Sequence, residues 1–143
     1  MQRIQSNQIQ NLQQMEVGVA GPEDANRLII IDGQFAINLG VNGSGPGWST
    51  AKETYSVLVG PTFTRKQFVQ ANATASLANT QVNCIAGGVA SFIINDVDAD
   101  WDDESGQVDL RIEAQATAYG ANQSVGIYGL LFHVTILAAI PAV

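Results

Sequence analysis

Histidine and cysteine each occur once among the 143 residues, and lysine and arginine together number only 6. One cysteine cannot close an internal disulfide. Cys84, in Val-Asn-Cys-Ile-Ala, reads as a small buried apolar side chain rather than a reactive thiol. The single histidine, His133, excludes a His-rich metal site, and any Ser-His-Asp or Cys-His device must use it. No nucleophile elbow accompanies it, so it reads as a structural residue on the outer face of a sheet. The basic residues Arg3, Arg27, Lys52, Arg65, Lys66 and Arg111 are scattered. Nucleic-acid binding needs a basic stripe that displaces counterions, so nucleic acid is not an expected partner. An anionic membrane surface is disfavoured for the same reason.

Long apolar runs are also missing. No charged and then apolar leader follows Met1, so no signal peptide is expected and the chain reads as made in a cytoplasm. The stretch from Gly129 to Val143 is broken by His133, Thr135 and Pro141 and is too short to span a bilayer. Membrane insertion is not expected.

Charge is scarce overall. Charged residues make up 13%, about half the usual share, and the net charge is −7. Gln, Asn, Ser, Thr, Ala and Gly fill the gap. A surface with few charges has little to hold neighbouring molecules apart. This leans towards subunit contacts, a homo-oligomer or other structural subunits. Apolar residues at 46% are ordinary and support a real core in a chain of one domain's length.

What the chain does have is β-pattern. From Gln107 to Tyr119, Val108, Leu110, Ile112, Ala114, Ala116 and Ala118 alternate with polar residues. Side chains on a strand point to opposite faces with period two, so this run has one dry and one wet face. Further strands are predicted at Arg27–Ile31, Gln34–Leu39, Thr54–Val59, Gln67–Leu77, Gln81–Ile85, Val89–Trp101 and Ser124–Leu137. Asp32-Gly33 predicts a two-residue hairpin turn, because a type I′ turn needs positive φ at both central residues. Gly21-Pro22-Glu23-Asp24, Gly87-Gly88, Asp103–Gly106 and Gly120–Asn122 are turn signals, and Gly40–Thr50 reads as a loop. The phase slips near Asn95-Asp96 and near Gly129, as β-bulges would make it. The expected fold is an all-β antiparallel sandwich of about eight strands, jelly-roll-like, with Leu110, Ile112, Phe132, Val134 and Ile136 in its core.

Residues 1–20 stand apart. Gln and Asn dominate, with Ile9, Leu12 and Met15 at spacing three. That stripe fits a short helix, or an arm laid on a neighbour. The expected organisation is an N-terminal arm over 1–20 and a sandwich domain over 21–143. Ile9, Leu12 and Met15 are then candidate partner contacts.

Two features invite chemistry. Asp96, Asp98, Asp100 and Asp102 share one face if their strand is regular. Like charges so close need solvation or a cation, and Ca²⁺ takes several carboxylate oxygens. A Ca²⁺ site and a solvated strand end with Val97, Ala99 and Trp101 packed behind it are the two readings. EF-hand spacing fails, because that loop needs Gly where Trp101 or Asp103 stands. Trp48 follows the Gly40–Gly47 loop, which lacks the Gly-Lys-Ser/Thr ending of a phosphate loop. Trp48 fits burial in its own core, a plug into a neighbouring subunit, or a platform for a sugar ring.

No catalytic, cofactor or nucleic-acid motif emerges. The expected function is a non-enzymatic structural subunit of a symmetric assembly, such as a phage- or virus-like capsid, decoration or tail component. The alternative is a carbohydrate-binding module, with Ca²⁺ as an optional aid. An enzyme would need, at minimum, a pocket that gathers His133 with carboxylates.

Overall fold

The computed structural model describes residues 1–19, 26–43, 45–83, 88–121 and 123–139, with Asn26 described in its backbone alone. Cys84, the Gly21–Asp24 turn signal and the tail Ile140–Val143 lie outside the described residues. Eight strands follow one another: β1 Gln2–Ile4, β2 Gln10–Val19, β3 Asn26–Asn42, β4 Trp48–Val59, β5 Phe68–Asn83, β6 Val89–Trp101, β7 Val108–Tyr119 and β8 Ser124–Ala138. A 3₁₀ turn, Ser6–Gln8, joins β1 to β2. Among the described residues no helix is long and apolar enough to cross a membrane.

The strands form two four-stranded sheets. Sheet I has the order β1-β4-β7-β6 and sheet II the order β2-β3-β8-β5. All pairs are antiparallel except β1 with β4, which is parallel. This order establishes a sandwich but does not by itself establish a jelly-roll winding. The inner faces carry the alternation seen in the sequence. Val108, Leu110, Ile112, Ala114, Ala116 and Ala118 of β7 meet Ile127, Leu130, Phe132, Val134 and Ile136 of β8 in one buried cluster. Phe35 sits centrally, with ring centroids 6.4 Å from Tyr55 and 6.1 Å from Phe132. The small inner residues Ala71, Ala73 and Ala75 of β5 pack half-buried against the cluster.

The predicted Asp32-Gly33 hairpin is not formed. β3 runs straight through both residues, with Asp32 opposite His133 and Gly33 opposite Phe132. Phase is the physical reason. A two-residue turn would put Ile29, Ile31, Gln34 and Ala36 on one face. A continuous strand puts Ile29, Ile31, Phe35, Ile37 and Leu39 there, and all five are buried. Likewise β5 absorbs the predicted Gln81–Ile85 strand as far as Asn83, and β4 begins at Trp48 rather than Thr54. The two bulges do occur. The β6–β7 register shifts between Ile94 and Asp96, and both ladders of β8 shift around Gly129.

The first nineteen residues take no α-helical form. β1 pairs with Tyr55–Val57 of β4, and β2 pairs along β3 as far as Val19 opposite Asn26. An isolated helix with so thin an apolar stripe has little to stabilise it, whereas β1 and β2 extend sheets that are already formed.

Candidate functional site

The outer face of sheet II carries an open, largely polar cleft. Outward positions on neighbouring strands form rows across the sheet. One row runs Gln13 (β2), Asp32 (β3), His133 (β8) and Thr74 (β5). The next includes Gln34, Leu131 and Ser76. Together they line a cleft of about 430 Å³. His133 Nδ1 lies 2.6 Å from Asp32 Oδ1, and both side chains are about half exposed. This contact fixes the ring and leaves Nε2 as the nitrogen turned to other partners. An imidazole so oriented can take a proton from a bound group. Among the described residues no hydroxyl hydrogen-bonds His133. Thr74 is its neighbour in the row, and a relay would need that bond.

The Asp32-Gly33 turn pattern conceals this pairing in the sequence. The signal was available: the apolar alternation runs in phase from Ile29 to Leu39, so Asp32 must point outward from an unbroken strand.

The acidic residues lie on the outer face of sheet I. Asp96 stands opposite Glu113, Asp98 opposite Arg111, and Asp100 opposite Asp109. Two guanidinium groups reach into this row. Arg3 Nη1 lies 3.1 Å from Asp109 Oδ1, and Arg111 Nε lies 3.2 Å from Asp109 Oδ2. Asp102 is otherwise engaged. Its Oδ2 accepts from Ser105 N at 3.0 Å and from Ser105 Oγ at 2.7 Å, which closes the β6–β7 turn. Those two bonds hold the Asp102 carboxyl below its ordinary range, helped by the charges of Arg3 and Arg111. Trp101 anchors the same turn through Nε1, 3.0 Å from Phe63 O and 3.2 Å from Gly106 O. Among the described residues no three His, Cys, Asp or Glu side chains group closely enough to hold a metal ion.

Trp48 is not in the core. It is 62% exposed on the outer face of sheet I, with its ring 5.0 Å from that of Tyr119. Val89 completes the row from the other side of Tyr119. Of the N-terminal residues, Ile9 packs half-buried against the chain's own core. Leu12 and Met15 are exposed at 51% and 60%.

No protein-family model, curated protein or solved structure matches this chain.

Proposed function

We propose that the protein is a non-enzymatic structural subunit that assembles with copies of itself, as capsid, decoration and tail components of phage- or virus-like particles do. One observation carries this reading: the edge strand β2. It is ten residues long, exposed throughout, and among the described residues pairs on one side only. Its outer edge therefore offers free backbone donors and acceptors. Soluble proteins usually guard such edges with lysine, proline or a short strand. Here the only charge is Glu16, which Arg27 meets at 3.7 Å. Leu12, Met15, Val17 and Val19 are exposed along the same strand. A sparsely charged edge with exposed apolar side chains is complementary to a second strand of its own kind.

Light scattering at micromolar concentration tests the reading. Assembly should be seen in the parent and lost in the double variant Met15→Lys/Val17→Lys. Both positions are exposed, so melting should hardly change. A strict monomer at every concentration would refute the proposal.

A further inference from the structure

We propose that the Asp32–His133 cleft on the outer face of sheet II binds a neutral polyhydroxylated ligand, a saccharide ring. This inference goes beyond the assembly reading and does not depend on it. The cleft's volume of about 430 Å³ lies within the range of small-ligand sites.

Its lining excludes other ligand classes. Among the described residues no lysine or arginine lines it, so an anion would meet the Asp32 carboxylate with only the His133 imidazole, already engaged by that carboxylate, to offset it. An apolar ligand would strip water from the carboxylate, the amides and the hydroxyls without replacing their hydrogen bonds. A metal ion lacks a grouping of three ligands among the described residues.

The same lining fits a sugar. Hydroxyls on a pyranose ring are both donors and acceptors, so a site needs both kinds of partner. Gln13, Gln34 and Asn11 each carry an amide that does both. Thr74 and Ser76 add hydroxyls, and Asp32 adds a strong acceptor. The His133 contact at 2.6 Å holds that acceptor in place before any ligand arrives. Preorganisation of this kind lowers the entropy lost on binding. Leu131, 40% exposed among these polar groups, offers a dry platform for the C–H face of the ring. Four strands supply the lining, so the polar groups sit on a rigid sheet rather than on a loop.

The test is ligand-observed saturation-transfer NMR on the full chain, which tolerates an assembled particle. The probes are the methyl glycosides of glucose, galactose, mannose, fucose and N-acetylglucosamine, with sodium acetate and cyclohexanol as controls. At least one glycoside should receive saturation, and neither control should. Asp32→Asn and Thr74→Val should each weaken the calorimetric affinity about tenfold, the loss expected of one buried hydrogen bond. Trp48→Ala should leave it unchanged. Circular dichroism of each variant checks that the fold survives. No transfer to any glycoside, equal transfer to a control, or binding lost in Trp48→Ala but kept in Asp32→Asn would each overturn the proposal.

Discussion

Gly33 sits against the ring of Phe132: a Cβ added there would stand 2.7 Å from Cζ of that ring, and 2.9 Å from Cγ2 of Ile9. Glycine is present in this strand because the core leaves no room for a side chain. Gly33→Ala should therefore destabilise by about 1–3 kcal/mol, as overpacked cores do. Phe132→Leu in the same chain should recover part of that loss, because the two positions share one space. Urea denaturation of the single and double variants checks the coupling. Additive losses would show that the clash lies elsewhere.

The same glycine shows what was legible in the sequence. Alternation in β7 fixed the dry face from Val108 to Ala118, and all six inward residues are buried. Burial on one face is a strong, local, period-two signal, and it survives any change of partner strand. Asp32-Gly33 misled because local turn chemistry and strand phase disagree there. Phase won, since a hairpin would have placed Gln34 and Ala36 on the face of Ile29 and Ile31. The cleft was harder to see. Asp32, His133 and Thr74 are remote in sequence, and they meet only through the β3–β8–β5 register. Without knowing which strands neighbour which, nothing in the sequence joins them.

Leu110 is fully buried near the start of β7, between Val57 and Ala99 of its neighbours. Leu110→Ala should cost about 2–5 kcal/mol, the sum of lost burial and an unfilled cavity. Chemical denaturation gives the number. A loss below about 0.5 kcal/mol, the size of a surface substitution, would mean the position is not core.

Tyr55 is buried, and among the described residues its hydroxyl has no hydrogen-bond partner. Burial, with the negative charge of Glu53 beside it, pushes its pKa up from 10.0 to about 12. The folded state thus keeps a proton that the unfolded state releases. The associated stability is complete below pH 10 and is lost as pH rises towards 12. The loss should be about 2–3 kcal/mol. Tyr55→Phe should remove this alkaline decline and be neutral or stabilising at pH 7, because no bond is lost. Melting temperature against pH, in parent and variant, decides it.

At the acid end the sign reverses. The Asp102 carboxyl is held below its ordinary value of 3.8 by the two Ser105 bonds. Its stabilisation is therefore present above that value and disappears as pH falls through the lowered one. Ser105→Ala removes one of the two bonds and should bring the acid melting transition to higher pH. An unchanged acid limb would show that the turn does not depend on this carboxylate.

The acidic row on β6 should behave as a neutralised surface rather than a cation trap. Asp98 faces Arg111, and Asp109 is met by both Arg3 and Arg111 at hydrogen-bond distance. The guanidinium groups already occupy the electrostatic role a cation would fill. Asp102 has its carboxylate committed to Ser105. What repulsion remains among Asp96, Asp98 and Asp100 is exposed, and is screened over a Debye length of about 8 Å at physiological salt. Millimolar Ca²⁺ should thus shift the melting temperature no more than NaCl at matched ionic strength. A Ca²⁺-specific rise of several degrees, abolished by Asp98→Asn/Asp100→Asn, would reverse this conclusion, since only a ligand of the folded state stabilises by mass action. Arg111→Gln sharpens the test. Removing that charge should uncover the repulsion, lower the melting temperature at low salt, and let NaCl and Ca²⁺ restore it. If Arg111→Gln melts like the parent at low salt, the arginine is not what makes the row tolerable.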